Sequence, residues 1–337
     1  MGCGGGYEAL RHGAGWLDLS ARGRIVVRGR DRARLLHAIT SNEVKKMTPG
    51  TGCYAFLLSP QGRIQADLCL FCHADHFLID TEPELRQKVH AHIKRYIIAD
   101  QVELEDVTAL TAAIGLEGPG AAAILAELGA PVPALIPQPV DSVLAQTRSQ
   151  TLGALIEAQT VREGLPPTAP LHAVGALIPE TGYSHAAWGD ATVAAVTVTG
   201  QPGVRIFCPA EQVAHLVQRL ETAGAVAASP EHARVVRIEN GKPRYGEDIR
   251  ETSLPQETQQ MHAVSFSKGC YVGQEIVERI RAQGRVNKKL MRVVLEGAEV
   301  PAAGSKTKVD GAEAEVTSAV VSPASGEVVA LAYVRQR

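Results

Sequence analysis

The sequence predicts an α+β fold ending in a small all-β module. Three observations carry this expectation. Short strands and helices alternate through tight Gly/Pro/Asp turns, which suits antiparallel pairing better than a parallel sheet. No G-x-G-x-x-G or P-loop string follows a strand anywhere, so a nucleotide-binding parallel sheet is not indicated. After Gly284 the texture changes to short strands separated by Pro, Gly and Asp over about fifty residues, the pattern of a small barrel.

The elements follow in order. Residues 1–15 read as a loose tail. Arg24-Ile25-Val26-Val27 is a strand, and Gly29-Arg30-Asp31 opens a helix with Ala33, Leu35, Leu36 and Ile39 on one face, ending at Ser41-Asn42. Cys53–Leu58, Arg63–Cys72 and Phe77–Asp80 form an antiparallel meander turned by Ser59-Pro60-Gln61-Gly62 and Ala74-Asp75. Thr81-Glu82-Pro83-Glu84 starts a helix to about Ile97, with Thr81 as its cap. Val102–Val107 and Thr111–Leu116 are strands, and the alanine-rich helix Ala121–Gly129 follows. Pro131–Pro139 is a linker, and strands are expected at Val143–Thr147 and Leu152–Glu157. Residues 159–190 read as irregular. Ala194–Val198, Val204–Cys208 and a helix Ala210–Ala223 come next, then a helix from Ser229-Pro230-Glu231 to Gly241. The closing strands are Leu290–Leu295, Glu313–Ser318, Ala319–Ser322 and Val328–Val334.

Composition bounds the function. Apolar residues make up 45% and charged residues 21%, enough to bury a core, and with aromatics at 4% that core is largely Val, Ile, Leu and Ala. A net charge of −2 gives no electrostatic basis for nucleic acid as the main partner. No stretch approaches the roughly 20 apolar residues that span a bilayer, and the N-terminus lacks the apolar core of a secretory signal, so no membrane association and a cytoplasmic location are expected. The six cysteines then read as reduced thiols. Cys69-Leu70-Phe71-Cys72-His73 matches a haem-attachment string, but residues three apart on a strand face opposite ways, so no metal or haem is assigned.

The run Ser267-Lys268-Gly269-Cys270-Tyr271-Val272-Gly273-Gln274-Glu275 carries the densest chemistry. Beyond it Val272, Ile276 and Ile280 recur at helical spacing, and Glu275 precedes Arg279 by four residues, the favourable order for an ion pair. Cys270 is expected at a loop-to-helix junction, where free backbone N–H groups and Lys268 would favour its thiolate. Gly269 would let a ligand approach the backbone. Glu247-Asp248 with Arg250-Glu251 reads as a solvated charged turn.

KGCYVGQE followed by Arg279 resembles the signature of the YgfZ family, folate-binding proteins of iron–sulfur cluster maintenance, which is similar in turn to the aminomethyltransferase (T protein) of glycine cleavage. The likeness to T protein extends through Gly15–Ser20, Ile39–Val44, Gly62–Leu68, Glu117-Gly118-Pro119, Arg237–Gly241 with Tyr245-Gly246-Asp248, and the closing strand. It implies two interlocked α+β lobes over residues 1–282, dividing near 110–120, a C-terminal β-barrel over 283–337, and a central channel for tetrahydrofolate. It implies Cys270 and Lys268 as the reactive pair, and Asp67, Arg237, Gly269, Tyr54 and Gln274 as ligand contacts. Of T protein's hairpin carboxylates only Asp67 remains, beside Ala66, and a later acidic segment is replaced by Gln201 and Arg205. The implied function is tetrahydrofolate binding in support of iron–sulfur cluster assembly or repair, with iron–sulfur client or assembly proteins as partners. The alternative is a folate-dependent aminomethyltransferase or demethylase. Whether the chain is an enzyme stays open at this point.

Overall fold

Strand β4 (Ile64–Cys72) shows how the body is layered. Its residues alternate between two buried faces: Ile64, Ala66, Leu68 and Leu70 pack with helices, whereas Cys69 and Phe71 pack toward a second sheet. Asp67 shares the parity of Cys69 and Phe71, so the strand period turns its carboxylate into the space between the sheets. The structure, a computed structural model, describes residues 5–133 and 182–336; the strands expected at Val143–Thr147 and Leu152–Glu157 lie outside the described residues.

In chain order, the first part holds α1 (Gly5–His12), β1 (Gly15–Asp18), β2 (Gly23–Arg28), α2 (Arg32–Ile39), β3 (Gly52–Leu58), β4, β5 (His76–Thr81), α3 (Arg86–Tyr96), β6 (Glu103–Asp106), β7 (Thr111–Glu117) and α4 (Ala121–Glu127). From residue 182 come β8 (His185–Trp188), β9 (Ala191–Ala194), β10 (Gly203–Pro209), α5 (Val213–Thr222), β11 (Val226–Ala227), α6 (Pro230–Glu239), α7 (Pro255–Thr258) and α8 (Gln274–Gln283). The last strands are β12 (Lys288–Leu295), β13 (Lys306–Val309), β14 (Ala312–Val321) and β15 (Val328–Arg335).

One antiparallel sheet runs β3-β4-β5-β2-β6 and a second runs β11-β1-β7-β10-β9-β8, parallel only at β1–β11. Their inner faces meet through Val26, Phe71, Leu78, Ala113, Val196 and Phe207. Leu35, Leu36, Ile39, Val89 and Ile93 of α2 and α3 cover the outer face of the first sheet. Leu125 of α4 and Leu216 and Leu220 of α5 cover that of the second. Helices therefore clad both outer faces, and the space between the sheets is shielded on two sides.

Several expectations change. Residues 5–12 are helix rather than tail, because Tyr7 and Leu10 bury one face against Val236 of α6. The Tyr7 hydroxyl donates to Glu239 at 2.9 Å. Thr81 is not a helix cap: it ends β5, and its hydroxyl donates to the Asp67 carbonyl at 2.8 Å. The strand expected at 194–198 lies at Ala191–Ala194, with His185–Trp188 beside it in the stretch read as irregular. β14 is one bulged strand where two were expected, and β13 was missed. The last four strands pair in the order β12-β15-β14-β13, an open ladder where a barrel was expected. Side chains complete what hydrogen bonds do not, since Val293 of β12 and Val309 of β13 share one buried cluster. Cys69 and Cys72 do face opposite ways, one toward each cluster. Among the described residues no helix is long and apolar enough to cross a membrane, and no group of three His, Cys, Asp or Glu side chains is arranged to hold a metal ion.

Candidate functional site

A cavity of about 760 Å³ opens between the two sheets and is closed by α6 and the segment after it. Tyr54 from β3, Asp67 and Cys69 from β4, Glu82 after β5, Arg205 from β10, Arg237 from α6 and His262 line it. The volume falls within the roughly 300–1,000 Å³ of small-molecule sites.

Asp67 is the singular group of this wall. The Tyr54 hydroxyl donates to its Oδ2 at 2.8 Å, while its buried Oδ1 has no partner among the described residues. Burial, with the Glu82 carboxylate adding to it, pushes the Asp67 carboxyl up to about 7, so near neutral pH it can give or take a proton. The Tyr54 ring lies 5.3 Å from the His262 ring at 22°, and Tyr183 stacks beyond at 6.4 Å from Tyr54. A planar heterocycle entering here would meet aromatic surface beside a carboxyl with one unpartnered oxygen.

Arg22, Glu82, Arg205 and Arg244 of the same wall belong to a buried charge network, completed behind it by Asp80 and Arg24, that sequence reading missed. Asp80, fully buried, accepts from Arg22 Nε at 3.0 Å and Nη2 at 2.8 Å and is bonded by Arg205. Arg22 also pairs with Glu82, which Arg244 reaches at 2.9 Å. Burial alone would raise Glu82, but Arg22 and Arg244 more than offset it and hold the carboxylate ionised. Arg24, fully buried, donates to the carbonyls of Arg22, Ser20, Thr108 and Thr111 and so ties the two sheets together. The available signal was a charge inside an apolar strand, as in Arg24-Ile25-Val26-Val27 and Phe77-Leu78-Ile79-Asp80. Where both faces are buried, such a charge has to be paired.

The residues singled out from sequence separate into two places. Tyr54, Asp67 and Arg237 line the cavity; Lys268, Gly269, Cys270 and Gln274 are not among its lining residues. Arg237 is committed to Asp248, Glu247 and the Lys242 carbonyl. Asp248 is not the solvated residue expected: fully buried, it accepts from the hydroxyls of Thr317 at 2.7 Å and Ser318 at 2.6 Å, fixing the C-terminal sheet to the body.

Cys270 is exposed, and the helix begins at Gln274, later than the spacing suggested, so the thiol is three residues short of the N-cap Gly273. Helix α8 buries Val277 rather than a Val272–Ile276–Ile280 stripe, and its ion pair is Arg281–Glu278 at 3.5 Å. Lys268 is only 6% exposed, and its ammonium donates to the carbonyls of His37, Thr40 (2.6 Å) and Asn42 (2.9 Å). It caps the end of α2, whose last carbonyls lack helical partners, and with three donors spent it has none for a thiolate at Cys270.

The signature glycines differ in kind. Gly273 has φ +84° and a Cβ there would lie 2.5 Å from the Ser59 carbonyl, so α8 starts hard against the β3–β4 turn. Gly269 faces open space. Gly273→Ala should therefore cost roughly 2–4 kcal/mol by urea denaturation, and Gly269→Ala less than about 1. Equal losses would contradict this division.

The arrangement of the two sheets, with helices on their outer faces, is shared with a solved structure of known class. The chain covers 98% of its own length and 80% of that of glycine cleavage system aminomethyltransferase T from Bartonella henselae, with a TM-score of 0.75 at 19% identity. Residues 3–133 match the GCVT N-terminal domain family. The chain is 29% identical to an aminomethyltransferase of Rubrobacter xylanophilus, over 97% of this chain and 78% of that one. It is 28% identical to one of Geobacillus kaustophilus, over 98% and 81%. The chain is thus similar to curated aminomethyltransferases over nearly all of its length, and its first part, residues 3–133, matches a GCVT N-terminal domain.

Proposed function

We propose that the chain binds tetrahydrofolate between its sheets and acts in one-carbon transfer of the aminomethyltransferase type. The observation that carries the reading is Asp67, a cavity carboxyl with one oxygen held by Tyr54 and the other buried without a partner among the described residues. The residues fit the group: Tyr54 and His262 offer aromatic faces to a pterin, and Asp67 an oxygen to its N–H edge. When bound, the reduced folate supplies the nitrogen that takes up the one-carbon unit. Asp67 would hold or release a proton beside it, a role served by a carboxyl that titrates near 7. Arg22 and Arg244 keep Glu82 ionised, and this fixed negative charge helps keep Asp67 protonated in the resting site. Incubated with tetrahydrofolate and an aminomethyl thioether donor, whose S–CH2–NH2 carbon is already at the formaldehyde level, the chain should form methylenetetrahydrofolate and release ammonia and the free thiol. Cys270→Ser should keep that activity and Asp67→Asn lose most of it; no product from the unaltered chain would overturn the reading.

A second reading is favoured by a separate observation. Cys270 stands exposed within the full KGCYVGQE signature and outside the cavity lining, as a thiol serving an iron–sulfur client protein would. In this reading folate binding stays and the transfer is replaced by support of cluster assembly or repair in the cytoplasm. Restoration of cluster-enzyme activity in a deletion strain separates the two. The second reading expects Cys270→Ser to fail there, and full restoration would remove it.

A further inference from the structure

The signature lysine lies outside the cavity, yet its bonds run to it. Lys268 Nζ donates to the Asn42 carbonyl at 2.9 Å. The Asn42 side-chain amide in turn donates at 2.8 Å to two carbonyls, those of Tyr54 and His262. Those are the residues whose rings stack on the cavity wall, and the Tyr54 hydroxyl is the donor to Asp67. Asn42 Oδ1 is itself held by the Glu43 N–H at 2.8 Å, which fixes the amide plane. One side chain thus sets the spacing of two backbone segments, residues 54 and 262, that are far apart in the chain.

We propose that Lys268 is a positioning residue of the cavity: through Asn42 it fixes the Tyr54–His262 pair, and so the hydroxyl that holds Asp67. The geometry links a residue of the thiol-bearing segment to a carboxyl some 200 residues away in the chain. The segment carrying exposed Cys270 is joined by this path to the ligand site, so a change at either end is felt at the other. Burial also lowers the Lys268 ammonium to about 8, against the opposing pull of Glu43, so the clamp is weakened in mildly alkaline solution. The proposal deepens the folate reading without needing it, because its primary readout is the titration of Asp67 in the ligand-free chain.

The test follows the Asp67 carboxyl by carbon-13 NMR, assigned with Asp67→Asn. Tyr54→Phe removes the hydroxyl directly and should move the midpoint up by about one pH unit, since a hydrogen bond to the charged form is lost. Lys268→Met should move it the same way by at least half as much. So should Asn42→Ala, which removes only the intermediate amide and serves if Lys268→Met does not fold. A purely structural role predicts a lower Tm with the midpoint unmoved; folded Lys268→Met or Asn42→Ala chains titrating Asp67 where the unaltered chain does would overturn the proposal. Binding of 5-formyltetrahydrofolate is measured alongside. If the unaltered chain binds none while the midpoints still move, the folate reading falls and the positioning role stands.

Discussion

Asp80→Ala should abolish soluble folding or leave a chain that melts far below the unaltered one. Asp80 is the common acceptor of Arg22 and Arg205, and Arg22, Arg24 and Arg205 are exposed by only 8%, 0% and 1%. Removing it leaves buried Arg205 without its ion-pair partner and buried Arg22 with Glu82 alone. Losing one partner of a buried pair costs about 3–5 kcal/mol, a large share of the roughly 5–15 kcal/mol that holds a domain folded. Asp80 and Glu82 hold the Arg22 guanidinium charged despite its burial, so it has no neutral state to retreat to. Asp80→Asn keeps the shape and an acceptor oxygen and should recover part of the loss. Urea denaturation of both variants checks this; an Asp80→Ala unfolding free energy within about 1 kcal/mol of that of the unaltered chain would mean that the network is dispensable.

Asp67→Asn should act in the opposite direction on stability while removing ligand binding. Burial lifts the Asp67 carboxyl from the ordinary range to about 7. Between the unfolded value and about 7 the folded chain holds a proton that the unfolded chain has released. Stability therefore falls as pH rises through that window and levels off above it. Asparagine carries no charge to desolvate, so the variant should melt higher than the unaltered chain at pH 8 and close to it at pH 5. Affinity for the folate should drop by at least tenfold, the cost of losing a charge-assisted bond at a buried edge. A site that gains stability when its working group is removed is the expected mark of function. Thermal melts at the two pH values read the stability arm.

The legible part of this chain was whatever rests on local spacing. The β3–β4–β5 meander, α2 and its buried Leu35, Leu36 and Ile39, and the Ser229-capped α6 could be read because period and turn chemistry are written in consecutive residues. The face of Asp67 also follows from strand parity. What could not be read depends on partners distant in sequence. Tyr7 becomes part of a helix because Val236 waits some 230 residues on, and Asp248 is buried because β14 brings Thr317 and Ser318 to it. Lys268 looked like a neighbour of Cys270 because it is one in the sequence. In space its ammonium turns to the end of α2, where unsatisfied carbonyls outcompete a surface thiol. The signature stretch itself stays outside the cavity lining and meets it only indirectly, through the Lys268–Asn42 hydrogen bond.

The central claim is that the space between the two sheets takes a reduced folate by way of Asp67. Isothermal titration of tetrahydrofolate into the unaltered chain and into Asp67→Asn at pH 7 tests it most directly. The account predicts saturable heat at one site per chain, and little or none for the variant although it is folded and at least as stable. Equal binding by both, or heat from neither, would contradict it.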